Sequence, residues 1–96
     1  MIVRFSELAD HDLKAIAAYV AEDDAGAARN LLTRMNERMA QLSRFPELGR
    51  RRIDIDEFVR GLLICPYLVV YRIEPEEVVV LRVLHTSRDL HNKQLL

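Results

Sequence analysis

The chain has 96 residues, half of them apolar, and a formal net charge of −1. A chain of this length supports one core, because two cores would each be too small to offset the entropy of ordering the chain. We therefore predict a single domain over residues 1–96. The near-neutral charge argues against general nucleic-acid binding, which favours a clear positive excess.

Cysteine usage and hydropathy indicate the compartment. The single Cys65 cannot form an internal disulfide, and no CxxC or CxxxH spacing offers a metal site, so a reducing environment fits best. Residues 1–20 lack the features of a signal peptide, and no apolar run approaches the ~20 residues of a membrane span. The expectation is a cytoplasmic protein that uses no metal or cofactor and does not enter a membrane.

The first half of the chain predicts a strand and two helices. Residues 2–5 alternate in polarity, as a short strand does. Ser6 then offers an N-cap, and apolar residues at helical spacing predict a helix to about Ala21. The acidic run 22–24 supplies the next N-cap, and so short a link predicts an antiparallel helical hairpin. The second helix ends near Pro46, and its apolar stripe contains Ala28, Leu31, Leu32, Met35, Met39 and Leu42.

The second half reads as strands. Residues 58–65 predict a strand interrupted by Gly61, which we interpret as a bulge in preference to a small residue that allows close approach of another backbone. Residues 67–73 and 78–84 flank the polar turn 74–77 and predict a β-hairpin that is apolar on both faces. One face should cover the helices, and the other should be partly exposed or covered by something else. The expected fold is α+β: an N-terminal strand, an antiparallel helical hairpin packed on a mainly antiparallel sheet, and a C-terminal three-stranded meander.

Four segments together resemble the RelE/ParE toxin superfamily. They are the pattern D-L-x-x-I-x-x-Y-V over residues 12–20, PELGR over 46–50, YLVVYRI over 67–73 and LRVLHTSRD over 81–89. The last segment is similar to the "RVLH-x-x-RD" ending of the ParE branch, and the resemblance covers nearly the whole chain. It implies the toxin of a chromosomal or plasmid-stabilising toxin–antitoxin module, held inactive in a hetero-oligomer with a cognate antitoxin.

The resemblance leaves two classes of function open, because one fold serves both. Members similar to ParE poison DNA gyrase by protein–protein contact. Members similar to RelE cut mRNA on the ribosome, using basic residues, a glutamate or histidine and often a late tyrosine. Gyrase binding is the leading hypothesis, since no tyrosine follows Tyr71 and no basic excess exists. The alternatives are a ribosome-dependent mRNA endoribonuclease and a non-toxic member that only binds its antitoxin.

The candidate target-binding residues are Arg60, Arg82, His85 and Arg88. In the endoribonuclease alternative, Arg60 and Arg82 would stabilise phosphate charge and His85 would transfer a proton. In the structural alternative, Arg82 lies at the sheet rim or pairs with a glutamate of the turn 74–77, and His85 caps or packs. The arginine run 50–52 is interpreted as a solvated surface. Alternation predicts that Arg82 shares a strand face with Val78, Val80 and Leu84.

Other residues have two interpretations each. Met35 and Met39 are core residues or part of the surface that receives apolar side chains of an antitoxin. Tyr67 and Tyr71 are interpreted as core, in preference to a platform for bases. The polar tail 89–96 forms a helical turn or two, or becomes ordered when a partner binds.

Overall fold

The computed structural model describes residues 1–90, 95 and 96, and this part of the chain forms two α-helices and one five-stranded sheet. The helices are α1 (Glu7–Asp23) and α2 (Ala25–Ala40), and a 3₁₀ turn follows at Gln41–Ser43. The strands are β1 (Ile2–Phe5), β2 (Arg50–Arg51), β3 (Arg60–Ile64), β4 (Tyr67–Ile73) and β5 (Glu77–His85). Their order is β1-β5-β4-β3-β2; β1 runs parallel to β5 and the other neighbours are antiparallel. The predicted α+β fold is confirmed.

Both helices begin at the caps that the sequence predicts. The Ser6 hydroxyl accepts a hydrogen bond from the Ala9 N–H at 3.0 Å, and the Asp24 carboxylate accepts one from the Ala27 N–H at 3.1 Å. Each cap satisfies an N–H group that the first helical turn leaves without a partner. Asp24 is the whole link between the helices, which pack against each other. No described helix is long and apolar enough to cross a membrane.

The helices cover one face of the sheet and form the main core with it. Tyr67 and Tyr71 lie in this core, as predicted, with 4% and 0% of their surface exposed. Met35 and Met39 lie there too, at 0% and 1% exposed. The prediction that these methionines contribute to an antitoxin surface is therefore corrected, because α2 directs both side chains inward.

The other face of the sheet has a smaller core of its own. Its buried residues are Val59, Leu68, Val70 and Leu84, and the side chains packed against them are Ile55, Leu81, Leu90 and Leu95. A loop and part of the tail thus cover the face that the sequence left open to either exposure or cover. The prediction for the tail falls partly on residues 91–94, which lie outside the described residues.

A β-bulge in β5 changes which face Arg82 occupies. Val70 pairs with Arg82 and Tyr71 pairs with Val80, so Leu81 is an extra residue in β5. The bulge places Arg82 on the face of Val70, away from Val80, which corrects the prediction that Arg82 shares a face with Val78 and Val80.

The bulge predicted at Gly61 is wrong, because the pairing of β3 with both neighbours is regular there. A Cβ atom at Gly61 would lie 2.8 Å from Leu68 Cδ1 and 3.1 Å from Arg52 Cγ. Gly61 thus leaves room for the side chains of Leu68 and Arg52, whereas the alternative had been the close approach of another backbone.

Candidate functional site

Among the described residues, no strand lies beside the end of β5 on its outer side, and α1 takes that place. Pairing between β1 and β5 ends at Phe5 and Val80. Beyond this point the Ser6 hydroxyl donates to the Leu81 carbonyl at 2.8 Å, and the Asp12 carboxylate accepts from the Val83 N–H at 2.9 Å. Side chains from α1 thus satisfy backbone groups that a strand would otherwise pair. We call the resulting group of residues the α1–β5 junction, and its members are Asp12, Tyr19, Arg82, His85 and Arg88.

Arg82 is fully engaged within this junction. Its Nε and Nη2 atoms donate to the two oxygens of Asp12 at 2.8 and 3.0 Å, and its Nη1 donates to the Leu95 carbonyl at 2.6 Å. The side chains of Arg82 and Asp12 are only 22% and 12% exposed. The hydrogen bond to Asp12 raises the pKa of Arg82, despite partial burial. The arginine therefore acts as a structural link between α1, β5 and the tail.

Arg82 pairs with Asp12 and not with a glutamate of the turn 74–77. In the turn 74–77, Glu74 pairs with Arg72 at 2.9 Å and Glu77 pairs with Arg4 at 3.1 Å. Asp12 reaches Arg82 from a helix 70 residues earlier in the chain. The alternative in which Arg82 pairs with a glutamate of the turn 74–77 is therefore wrong, because its partner is Asp12.

His85 has the contacts of a packing residue. Its ring meets the Tyr67 ring edge-on at a centroid distance of 5.4 Å and an angle of 89°. Its Nδ1 accepts from the Ser87 N–H at 3.2 Å and lies 3.1 Å from the Ser87 hydroxyl. The backbone N–H of His85 donates to the Asp89 carboxylate at 2.6 Å. These contacts fix the ring and the turn that follows β5.

Arg88 differs from Arg82 because it is exposed and its guanidinium has no hydrogen bond or ion pair within residues 1–90, 95 and 96. It lies 5.1 Å from the centroid of the Tyr19 ring, and Tyr19 is 59% exposed. Both residues line an open hollow of about 280 Å³ beside α1. Arginine and tyrosine are both enriched among the residues that carry most of the binding energy at protein interfaces, and the ring face attracts the guanidinium.

Asp12 and Tyr19 belong to the pattern over residues 12–20 that carries the family resemblance, but no role was predicted for either. Their spacing of seven residues puts both on one face of a helix, which is the signal that they act together. The structure shows that this face meets the LRVLHTSRD segment, through Arg82 and Arg88. The two segments that carried the resemblance are thus in contact.

Arg60 lies apart from the junction. It is paired with Tyr71, whereas His85 is paired with Tyr67, so four residues of β4, roughly 13 Å, separate them along the sheet. The Arg60 Nη1 donates to the Gly49 carbonyl at 2.8 Å and weakly to that of Glu47 at 3.4 Å. The structure does not bring Arg60 together with the other three candidates.

The same loop is held by Tyr71. The Tyr71 hydroxyl donates to the Pro46 carbonyl at 2.6 Å and accepts from the Gly49 N–H at 2.8 Å. Burial raises the pKa of Tyr71. Gly49 has no room for a Cβ atom, which would lie 2.7 Å from the Tyr71 ring. The PELGR segment is therefore a clamped loop that leads into β2.

The described residues contain no cluster of three or more His, Cys, Asp or Glu side chains placed to hold a metal ion. The arrangement at the α1–β5 junction consists of one partly buried ion pair and one exposed cation on an aromatic ring. Such an arrangement suits binding to a protein surface.

Comparison with known proteins identifies the family. The model of the ParE toxin of the type II toxin–antitoxin system, parDE, matches residues 3–90. The chain belongs to the ParE toxin family. Toxin ParE3 of Caulobacter vibrioides is 36% identical over 80 residues, which are 82% of this chain and 80% of that protein.

A solved structure supports the same fold for this ParE-family chain. The chromosomal ParDE toxin–antitoxin system from P. aeruginosa matches it with a TM-score of 0.77, over 91% of this chain and 97% of that chain. The sequence identity is 24%, so this likeness concerns the fold alone. The family resemblance inferred from the sequence is confirmed. All residues of the α1–β5 junction fall within residues 3–90, which match the family model.

Proposed function

We propose that this ParE-family toxin inhibits DNA gyrase by direct binding and that the α1–β5 junction makes part of the contact. The observation that carries the choice of surface is the exposed Arg88 guanidinium over the Tyr19 ring. Arg82 is occupied by Asp12, and Arg60 is occupied by loop carbonyls. Arg88 is therefore the predicted arginine best able to reach a second protein.

Action by binding, rather than by cutting RNA, is supported by the arrangement of the nuclease candidates. Cleavage at a 2′-hydroxyl needs a base, an acid and cations gathered around one phosphate. Arg60 and His85 lie at different ends of β4, and the His85 Nδ1 is held by Ser87. Arg60, Arg82 and His85 would have to move before all three side chains could contact one phosphate group.

We also propose a cognate antitoxin as the partner that keeps the toxin inactive in the cytoplasm. Family membership supports this, and the structurally similar P. aeruginosa protein is part of a toxin–antitoxin system. Because Met35 and Met39 are buried, the antitoxin must use other residues.

A gyrase assay tests the proposal. Purified protein is titrated into supercoiling and DNA-cleavage reactions, together with the variants Arg88→Ala and Tyr19→Ala. Loss of a central contact costs about 1–2 kcal/mol, so each variant should need roughly tenfold more protein for half-inhibition. Arg29→Ala, which removes an exposed arginine of α2, is the matched control and should leave inhibition unchanged.

Two outcomes would contradict the proposal. If a large molar excess neither inhibits supercoiling nor accumulates cleaved complexes, gyrase is not the target. If Arg88→Ala inhibits as well as the control, the junction is not the contact surface. The same preparations in a translating extract test the endoribonuclease alternative, which requires toxin-dependent mRNA fragments. Unimpaired growth on induction without antitoxin, with soluble folded protein, would favour the non-toxic alternative.

A further inference from the structure

The edge of the sheet at β2 is short and leaves part of β3 uncovered. Arg50 pairs with Gly61 and Arg51 with Arg60, and the pairing ends there. β3 continues to Ile64, and in the part of the chain that the structure describes no strand pairs with its outer side beyond Gly61. An uncovered strand offers backbone groups to any extended segment that can approach.

The backbone of Leu63 faces this open edge. The Arg52 N–H donates to the Val59 carbonyl at 3.0 Å, which shows that Val59 directs its backbone groups toward β2. Alternate residues of an antiparallel strand point to the same side, so Gly61 and Leu63 do likewise. Gly61 meets Arg50, whereas Leu63 lies beyond the pairing and has a side chain that is 56% exposed.

A groove rich in arginine adjoins the edge. It encloses about 400 Å³, and we call it the arginine groove; its lining includes Arg50, Arg51, Arg52, Gly61, Leu63 and Thr86. The described lining has three arginines and no carboxylate. Arg52 pairs with Asp54 at 2.8 Å, but Arg50 and Arg51 have no carboxylate within 4.0 Å among residues 1–90, 95 and 96.

We propose that the arginine groove binds an acidic peptide segment in an extended conformation. The segment would add a short strand beside Leu63 and place a carboxylate against Arg50, whose side chain shares a face of the sheet with Gly61 and Leu63. Charge complementarity selects an acidic partner, and the open edge selects an extended one, since β-addition supplies main-chain hydrogen bonds. This inference goes beyond the gyrase contact, which uses the α1–β5 junction.

The lining favours a peptide over a nucleic acid. Proteins that hold single strands combine cationic side chains with aromatic rings on which bases stack. The described lining of the groove has no aromatic ring, and Leu63 supplies an apolar contact beside a backbone edge. A phosphate group can accept a hydrogen bond from the Leu63 N–H but has no donor for the Leu63 carbonyl, so it cannot pair with the edge as a strand does.

The test uses the whole chain, labelled with ¹⁵N, and an acetylated octapeptide that alternates glutamate with valine and threonine. The expected result is a shift of the amide signals of Arg50–Arg52, Gly61–Leu63 and Thr86. A double variant, Arg50→Glu with Arg51→Glu, should weaken binding roughly tenfold or more. The matched control, Arg29→Glu with Arg34→Glu, reverses two exposed arginines of α2 and should bind as the original chain does.

A second peptide series separates strand addition from simple charge attraction. N-methylation of every other amide blocks one side of the peptide, so methylation in one phase should abolish binding and in the other phase should preserve it. Equal binding in both phases would overturn the proposal. It would also be overturned if no signals shift at millimolar peptide, if lysine in place of glutamate binds equally well, or if an RNA octamer binds the same residues more tightly.

Discussion

Arginines at the α1–β5 junction and at the β2 edge have opposite surroundings. Arg82 gives two hydrogen bonds to Asp12 and one to the Leu95 carbonyl, and most of its side chain is covered. Arg50 and Arg51 are exposed, and the groove beside Arg50 has no carboxylate in its described lining, whereas Arg51 also lines a second hollow with Glu57 and Glu74. One region uses arginine to hold elements together, and the other leaves its positive charge available.

The difference shows what decides the role of a charged residue. An arginine that a carboxylate reaches in a partly buried site becomes part of the framework, and removal of either partner leaves the other desolvated. An arginine at an exposed edge contributes little to stability and keeps its ability to bind anionic groups. Substitutions in the two regions are therefore expected to change the free energy of unfolding by different amounts.

The largest effect is expected for Asp12→Ala. This change removes both hydrogen bonds to Arg82 and leaves the Val83 N–H without its acceptor. Charged hydrogen bonds in a partly buried site contribute about 1.5–3 kcal/mol each, and their effects overlap, so the free energy of unfolding should fall by about 3 kcal/mol. Urea denaturation followed by circular dichroism measures this loss.

Asp10→Ala is the matched control for Asp12→Ala, since Asp10 lies on the same helix and forms an exposed pair with Lys14 at 3.1 Å. Its removal should change the free energy of unfolding by less than about 0.5 kcal/mol. Equal losses for the two variants would show that the junction is no more structural than the surface. Arg82→Met should be milder than Asp12→Ala, because Asp12 keeps its bond to Val83.

Much of the fold could be predicted because it follows from local signals. Ser6 and Asp24 are caps in the sequence and in the structure. The alternation in residues 67–73 predicts the hairpin, whose observed strands differ from the prediction by one residue at each end of β5. Caps and alternation depend on neighbours along the chain, which a single sequence shows.

The candidate site could be predicted only in part, because its geometry depends on distant contacts. The bulge at Leu81 arises where β1 ends and the Ser6 hydroxyl bonds the Leu81 carbonyl. Alternation alone gives no sign of an extra residue there, so the face of Arg82 was predicted wrongly. Its partner Asp12 lies 70 residues away, and no local rule connects the two.

An intermediate effect is expected at the loop that leads into the β2 edge. Tyr71→Phe removes the hydroxyl that bonds both Pro46 and Gly49, so two backbone groups lose a partner. A backbone group left unpaired costs about 1–3 kcal/mol, and water can reach part of this loop, so we expect a loss of about 1–2 kcal/mol. Thermal and urea denaturation should agree on it.

The ionisation of Tyr71 makes the stability of the fold depend on pH. The pKa of Tyr71 is raised in the folded chain because burial disfavours the phenolate. The unfolded chain therefore ionises first, and the stabilisation is complete below the ordinary tyrosine pKa of about 10 and is lost as pH rises through the folded value. Original protein should lose stability above pH ~10 more steeply than Tyr71→Phe. Parallel curves would contradict this assignment.

The smallest effect on stability is expected at the β2 edge. It tests most directly whether the arginines of this edge differ in role from Arg82. Replacement of Arg50 and Arg51 together by serine should change the free energy of unfolding by less than about 0.5 kcal/mol, since neither has an ion-pair partner among the described residues. Serine keeps the strand polar and removes the charge together with the long side chain. A loss as large as that of Asp12→Ala would mean that these arginines are part of the framework, and the edge could not then be regarded as charge left free for a partner.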